Sequence, residues 1–324
     1  MQPVVLLWMP LAGTAVAMGT PEGTGTPANP SVTAESVMVS RDGLFAYRLD
    51  DGTERWRALI GLPTSAPTST TARVLVGADR ALWALEPGRG HPIWHVKMQS
   101  RVFGPVVAGD VVFVSDTGGL VRALRASDGH LIWQRTLSGW VYPPALADGV
   151  LVAGGQAHRL WGLDQANGRT LWERSLPQES VYRPVAAGEL VVVTTYSGDV
   201  LALFPKDGGL VWSFQDPAPS QSPVLSQGRL LLLGLDGHLR ARRAGDGRLL
   251  WGVAVPELSP SALLIGTAEP LLLDGRGRQW IIDPRTGSVR GPFRNWEDVP
   301  VPAGVAAALH TLYRPVSADH LAQQ

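Results

Sequence analysis

Asp128-Gly129-His130-Leu131-Ile132-Trp133 is one copy of a pattern that recurs along the whole chain. Reduced to Gly-x-x-x-Trp, the pattern occurs six times: Gly52 with Trp56, Gly90 with Trp94, Gly129 with Trp133, Gly168 with Trp172, Gly208 with Trp212, and Gly247 with Trp251. A seventh copy keeps Gly287 but has Gly291 in the tryptophan position. Successive motif glycines are 38 to 40 residues apart. This regular spacing indicates a repeat protein.

One complete repeat predicts four short strands. In the third repeat, Pro105-Val106-Val107 comes first, followed by the apolar run 111–114, the alternating run 120–124 and the segment ending at Trp133. Glycine-containing turns separate the last three runs. A four-stranded unit of about 40 residues is typical of a propeller blade. We therefore predict an all-β propeller of four-stranded antiparallel blades, with the repeated Trp packed between blades.

The two ends of the chain predict how the ring closes. The apolar run 4–17 is either a signal-peptide core or a strand. Its segment 5–11 resembles 249–255, the last strand of the sixth repeat, which favours the strand. Trp8 would then take the place of a repeat Trp. We predict one domain over 1–324: an outer strand of the closing blade in 1–19, a connector in 20–29, seven full repeats in 30–299 and a partial eighth blade in 300–324. Eight blades are favoured, and seven blades with tails are the alternative. Prolines open the repeats, at Pro30, Pro67, Pro105, Pro144, Pro184, Pro223 and Pro260.

Composition excludes several classes of function. The chain has 28 Lys and Arg against 28 Asp and Glu, giving a net charge of zero. It has no block of basic residues, so neither nucleic acid nor an acidic membrane surface is expected as a partner. The absence of cysteine excludes disulfides, thiol catalysis and Cys-ligated metals. No apolar run is long enough for a transmembrane helix. We expect a monomer.

The repeat resembles a known family. Leu163-Asp164-Gln165-Ala166-Asn167-Gly168-Arg169-Thr170-Leu171-Trp172 is similar to the repeat of pyrroloquinoline-quinone (PQQ)-like propellers, and Ile282-Asp283 with Gly287 keeps its first half. The resemblance covers nearly the whole chain. It implies one of two functions: a quinoprotein dehydrogenase or ligand sensor that binds PQQ with calcium, or a BamB-like scaffold for outer-membrane protein assembly in the cell envelope or periplasm. As a bare propeller of minimal blades, the chain looks more like BamB.

Candidate catalytic and metal-binding residues are few. The adjacent cysteine pair of quinoprotein dehydrogenases is absent, and most aspartates fall in repeat turns, where Asp bonds to its own backbone. His91 and His95 lie on one face of a predicted strand but lack a third ligand. We therefore predict no catalytic residue, no metal site and no cofactor, with PQQ and calcium as the alternative.

Aromatic and arginine residues in the connections between blades are the candidate partner site. Trp140 and Tyr142 lie in one connection, and Tyr182 and Arg183 lie in the next. Connecting loops are where propellers bind partners, and Trp, Tyr and Arg are the usual anchors of interfaces. We expect these four residues to bind a protein partner, with the outer-membrane assembly machinery as the candidate. The alternative is that they cap the axial end of the core.

Overall fold

The computed structural model describes residues 28–32, 35–41, 43–176, 181–220, 223–255, 263–265, 270–273 and 279–293. In these ranges the chain forms seven four-stranded antiparallel sheets, which we call blades one to seven. In each blade the strands are adjacent in the order in which they occur along the chain. The predicted all-β class is confirmed.

The strand bounds are as follows. Blade one contains β1 (Ala28–Val32), β2 (Ser36–Arg41), β3 (Gly43–Arg48) and β4 (Glu54–Ala58), and blade two contains β5 (Thr68–Ser69), β6 (Val74–Ala78), β7 (Ala81–Leu85) and β8 (Pro92–Lys97). Blade three contains β9 (Val106–Ala108), β10 (Val111–Ser115), β11 (Leu120–Arg125) and β12 (Leu131–Thr136), and blade four contains β13 (Ala145–Ala147), β14 (Val150–Gly154), β15 (Arg159–Asp164) and β16 (Thr170–Ser175). Blade five contains β17 (Val185–Ala187), β18 (Leu190–Thr194), β19 (Asp199–Leu203) and β20 (Leu210–Gln215), and blade six contains β21 (Val224–Ser226), β22 (Arg229–Leu233), β23 (His238–Arg243) and β24 (Leu249–Ala254). Blade seven contains β25 (Leu263–Ile265), β26 (Leu271–Leu273), β27 (Gln279–Ile282) and β28 (Val289–Phe293).

Each blade has two ends. Because the strands alternate in direction, the turn between the second and third strands lies at the same end as the connection to the next blade. We call this the upper end. Backbone hydrogen bonds join the two features there: the Gln156 amide donates to the Trp140 carbonyl at 3.2 Å, and the Leu235 amide donates to the Pro219 carbonyl at 2.9 Å. The turn between the third and fourth strands defines the lower end.

A bulge in the outer strand orients each repeat Trp. In blade three, Ala123 pairs with Trp133 but Leu124 pairs with Leu131, so Ile132 is an extra residue in β12. Ile132 is 45% exposed, whereas Trp133 is buried. The same shift in pairing occurs before the lower turn in blades one, two, four, five and six. A bulge of this kind re-aims a side chain, and here it turns the Trp toward the next blade.

The repeat Trp joins each blade to its successor. The indole N–H of Trp172 donates to the Pro205 carbonyl in the next blade at 2.7 Å. The corresponding bonds are made by Trp56, Trp94, Trp133, Trp212 and Trp251. The Trp172 ring also lies against Gly208, where a Cβ atom would be 2.7 Å from the ring. Gly208 has a positive φ of 69°, which favours glycine. The motif glycine therefore makes the lower turn and leaves room for the Trp of the preceding blade.

The hydrophobic core lies between blades. Leu75 and Leu82 of blade two form one cluster with Val112 and Val114 of blade three, and all four are inaccessible to solvent. Burial of such a side chain contributes about 1.5–3 kcal/mol, so each blade is stabilised chiefly by its neighbours. The first strands of neighbouring blades also contact one another, as β13 does β17 and β17 does β21.

The predicted ring closure lies outside the described residues. This applies to Trp8 and its strand in 1–19, to residues 20–27 of the connector and to the partial eighth blade in 300–324; Ala28 and Asn29, at the end of the predicted connector, already belong to β1. The count of eight blades, the alternative of seven, and the domain boundaries therefore stay predictions. Among the described residues, no helix is long and apolar enough to cross a membrane.

Candidate protein-binding face

All four predicted partner residues lie at the upper end. Trp140 and Tyr142 are in the connection from blade three to blade four, and Tyr182 and Arg183 are in the connection from blade four to blade five. Trp140 and Tyr182 are half-buried. Tyr142 and Arg183 are only 2% and 7% exposed. Trp140 and Tyr182 can therefore contact a partner directly, while Tyr142 and Arg183 cap the core beneath them.

Tyr142 and Tyr182 belong to one continuous aromatic cluster. The rings of Phe103 and Tyr142 have their centroids 5.3 Å apart. The hydroxyl of Tyr142 is hydrogen-bonded to that of Tyr196 at 2.8 Å. The ring of Tyr196 lies against Tyr182, with centroids 4.4 Å apart. These four residues, which we call the upper aromatic cluster, join the upper ends of blades three, four and five.

Sequence reasoning missed Phe103 and Tyr196. Phe103 and Tyr142 occupy equivalent places, each next to a Val that forms a β-bridge to the upper turn of the following blade. Tyr196 lies in an upper turn, where blades three and four have Thr117 and Gln156. Comparing equivalent positions between repeats would have singled out Tyr196, but its hydroxyl partner in the neighbouring blade becomes evident only in three dimensions.

Burial shifts the acid–base behaviour of the cluster. Burial raises the pKa of Tyr182, and the neighbouring Tyr196 raises it further. Burial also raises the pKa of Tyr196, and its hydrogen bond with Tyr142 adds to the shift. Burial lowers the pKa of the Arg183 guanidinium to about 10. At neutral pH, Tyr182 and Tyr196 are therefore uncharged hydrogen-bonding groups, and Arg183 keeps its positive charge.

More apolar surface continues the face toward blade six. Leu235 occupies the turn position equivalent to Tyr196 and is 50% exposed. Its amide bonds to Pro219, which is half-buried in the adjoining connection. Five apolar or aromatic side chains are thus partly exposed at the upper end, and we call them together the upper apolar patch: Trp140, Tyr182, Tyr196, Pro219 and Leu235. Partly exposed aromatic and aliphatic side chains of this kind are the usual anchors of protein interfaces.

Blades five and six meet through a buried ion pair. Arg242 donates to the Asp216 carboxylate at 3.0 Å and to the Gly247 carbonyl at 3.1 Å. The Arg242 guanidinium also lies 3.5 Å from the centroid of the Phe214 ring. The Asp216 side chain is 0% exposed and that of Arg242 is 14% exposed. Sequence reasoning missed this pair.

The ion pair replaces apolar contacts found between other blades. The position of Asp216, four residues after the repeat Trp, holds Met98, Leu137, Leu176 and Val255 elsewhere. The position of Arg242 holds Leu85, Leu124, Leu163, Leu203 and Ile282 elsewhere. The apolar counterparts share core clusters, as Met98 does with Leu124 and Leu137 with Leu163. Aligning the repeats would have shown that these two positions, apolar in the blades named above, both carry charged residues at the junction of blades five and six.

The other candidates have structural partners. The exposed His95 stacks on Trp83, with ring centroids 4.5 Å apart. The turn residue Asp128 accepts a hydrogen bond from the His130 amide at 2.9 Å, and this bond lowers the pKa of Asp128. Asp164 accepts similarly from the Ala166 amide at 2.8 Å. In the described part of the chain, no three His, Asp or Glu side chains come together as a metal site would require.

Comparison with known families identifies the repeat. The sequence profile of the family described as outer membrane protein assembly factor BamB matches in three overlapping segments, 13–138, 84–221 and 175–292. The chain belongs to this BamB family. The predicted resemblance to PQQ-like propellers of the BamB type is thereby confirmed. A search of curated protein sequences gives no match.

Solved structures similar to this BamB family member share its fold. BamB from Moraxella catarrhalis is 18% identical, with a TM-score of 0.66 over 81% of this chain and 84% of that one. The computationally designed protein Ika8 is 13% identical, with a TM-score of 0.74 over 87% and 90% of the two chains. The WD40 β-propeller domain of Doa1 is 12% identical, with a TM-score of 0.59 over 79% and 93%. The fold is therefore a β-propeller.

Proposed function

We propose that this propeller is a non-catalytic scaffold that binds another protein through the upper apolar patch. The observation that carries the proposal is the run of partly exposed Trp140, Tyr182 and Tyr196 at one end of a chain of the BamB family. Burying large aromatic side chains supplies most of the affinity in typical interfaces. The patch lies on turns held by backbone hydrogen bonds, so little freedom is lost on binding.

The family suggests the cellular setting. Because the family is described as an outer membrane protein assembly factor, we place this scaffold in the cell envelope, with the outer-membrane assembly machinery as its partner. The balanced net charge of zero agrees with a protein partner rather than nucleic acid.

Capture from envelope membranes tests the scaffold. The tagged protein is cross-linked in envelope fractions, and partners are compared between wild type, Leu235→Ser and Phe204→Ser. Phe204 is a matched control, because it is 48% exposed at the lower end of blade five. We expect Leu235→Ser to reduce capture of an assembly component and Phe204→Ser to leave it unchanged. Equal capture by all three proteins would contradict the assigned face, and capture of no assembly component would contradict the assigned role.

Binding of PQQ is the second candidate function. The rings of Tyr182 and Tyr196 lie 4.4 Å apart, and Arg183, the residue after Tyr182, is a buried cation. Aromatic rings and a cation are groups that suit a planar quinone bearing carboxylates. Calcium prefers six to eight oxygen ligands, and the described residues do not gather the acidic side chains that would supply them. Titration with PQQ, with and without calcium, tests this function through Trp fluorescence and calorimetry. Saturable one-to-one binding would favour quinone binding over the scaffold function. No binding at ~100 µM would exclude PQQ as a ligand of useful affinity.

A further inference from the structure

The outer strand of blade six, β24, forms a sheet edge without charged residues. An open edge can pair with another strand, and natural sheets commonly protect it with charged side chains. The outer strands of blades one to four and of blade seven follow this rule, with Glu54, Lys97, Arg135, Glu173 and Arg290 among their charged residues. In the described chain, β20 and β24 alone contain none. Blades five and six therefore lack this protection.

β24 also carries the smallest side chains near the upper end. Positions 252 and 254 are Gly252 and Ala254, and both residues are exposed. In blades two to five the same two positions hold His95 and Lys97, Gln134 and Thr136, Glu173 and Ser175, and Ser213 and Gln215. The backbone of β24 is therefore less covered by its own side chains than the backbone of the outer strands in those four blades.

The backbone groups of Gly252 and Ala254 point away from the blade. The Val255 amide donates to the Gly237 carbonyl at 3.1 Å, so residue 255 stands in a hydrogen-bonded pair. In an antiparallel ladder, such pairs alternate with pairs whose N–H and C=O groups face outwards. Counting back from Val255 along the register of β24 with β23, Ala254 and Gly252 fall in the alternate pairs. Each therefore offers one donor and one acceptor along the open edge.

This edge begins where the upper apolar patch ends. Gly237, the partner of Val255, belongs to the same upper turn as the patch residue Leu235. From there β24 runs toward Leu250, which is 39% exposed near the lower end. A polypeptide that crosses the patch can therefore continue along β24 without leaving the surface.

We propose that β24 receives an extended segment of the partner protein as an added β-strand. This inference rests on the proposed scaffold function and adds a second contact to the upper apolar patch. A row of outward donors and acceptors is matched by the backbone of an extended segment. The small side chains of Gly252 and Ala254 leave space for large ones on the added strand. The segment contains no proline where its backbone must donate.

A flexible segment fits this edge better than a second copy of the chain. β24 has six residues, so a dimer through this strand alone would be about 20 Å long and, with a sheet about 10 Å thick, would bury about 400 Å² in total. Stable interfaces bury about 1,200 Å² or more. Leu250 is the extra residue of the bulge, which bends the strand. A flexible segment can follow this bend, whereas a second rigid blade cannot.

A pair of synthetic peptides tests the added strand. The probe is a fluorescein-labelled, end-capped decapeptide of alternating Val and Ser, and its counterpart is N-methylated on every backbone nitrogen. Binding of each peptide to the full-length protein is followed by fluorescence anisotropy. We expect the unmodified peptide to bind saturably and the methylated one to bind at least about tenfold more weakly, because it cannot donate backbone hydrogen bonds.

A proline variant connects the binding to β24. Ala254→Pro removes an outward N–H and no bond to β23, so it should weaken the unmodified peptide by about fivefold or more. Thr136→Pro is the matched control in blade three. The Leu137 amide donates to the Gly119 carbonyl at 2.8 Å, so the Thr136 N–H also points outwards. This control should change the affinity by less than about twofold.

A second variant keeps the test valid if Ala254→Pro fails to fold. Gly252→Lys places a charge on the edge, as in the protected blades, and should also weaken the peptide by about fivefold or more. The new side chain fits, because a Cβ atom at Gly252 would have its nearest neighbour, the Cγ atom of Arg240, at an ordinary 3.7 Å.

Three peptide results would overturn the proposal: equal binding of the methylated peptide, unchanged binding by the β24 variants, and no peptide binding at all. Sedimentation covers a different occupant. Dimerisation that Ala254→Pro abolishes would overturn the proposal by assigning the edge to a second copy. Envelope capture separates this proposal from the scaffold function. Capture that is reduced by Leu235→Ser but unchanged by Ala254→Pro would refute the added strand alone, whereas capture of no assembly component would refute the scaffold role.

Discussion

The ion pair between blades five and six allows a quantitative prediction. Removing one partner leaves the other charge buried and uncompensated, which typically costs 3–5 kcal/mol. The Arg242 side chain keeps 14% exposure, so solvent compensates part of this loss. We therefore expect Asp216→Leu and Arg242→Leu each to lower the free energy of unfolding by about 2–3 kcal/mol.

The double variant should behave differently from the sum of its parts. Asp216→Leu with Arg242→Leu recreates the leucine pair that stands between blades three and four as Leu137 and Leu163. Replacing a buried ion pair by packed apolar side chains is commonly neutral or stabilising. We expect the double variant to lie within about 1 kcal/mol of wild type, which requires a coupling energy of at least about 3 kcal/mol.

Denaturant unfolding followed by Trp fluorescence measures the free energy of unfolding of wild type, the two single variants and the double variant. The dependence of this free energy on denaturant concentration should be the same for all four proteins. Asp50→Leu is the control, because Asp50 pairs with Arg48 on the surface, where the side chains are 65% and 52% exposed. This control should leave the midpoint unchanged, since exposed pairs contribute little. The reasoning would be refuted if the two single losses of stability added up in the double variant, or if the double variant were less stable than either single variant.

Three further predictions concern the junctions and the aromatic cluster. Gly208→Ala should destabilise the protein by about 2 kcal/mol more than Gly188→Ala in denaturant unfolding, because both glycines have φ 69° but only the first faces a Trp ring. Trp172→Phe should lower the free energy of unfolding in the same assay by at least about 1 kcal/mol, because it leaves a buried carbonyl without its donor. The raised pKa of Tyr196 means that the folded state retains a proton that the unfolded state loses above the usual phenol value of 10.0, so stability should fall as pH rises beyond it. Tyr196→Phe should make that decline shallower in unfolding experiments between pH 9 and about pH 11, and an unchanged slope would contradict the assignment.

The fold could be predicted further than the site because its determinants recur. Each Gly-x-x-x-Trp motif marks a lower turn and an outer strand, so the copies locate the blades independently of one another. The opening prolines did the same: Pro105, Pro144 and Pro184 immediately precede β9, β13 and β17. What recurs in every blade can be inferred from one chain.

The site depends on residues that do not recur. Tyr142 and Tyr182 were accessible to sequence reasoning because aromatic residues in connections are conspicuous. Their link through Tyr196 was not, because the hydroxyl contact joins positions 54 residues apart in different blades. The pairing of Asp216 with Arg242 likewise spans 26 residues, and it could be noticed in the sequence only by aligning the repeats and finding a charge at two otherwise apolar positions.

The Asp216–Arg242 pair also affects how the chain assembles. Blades of nearly identical pattern offer similar surfaces to one another, so a blade could dock against the wrong neighbour while the chain folds. Blade six placed against blade four would bring Arg242 to Leu176 and bury an unpaired charge at a cost of about 3 kcal/mol or more. Correct docking alone neutralises it. The pair thus favours docking of blade six on blade five over docking on a blade that has an apolar residue in the position of Asp216.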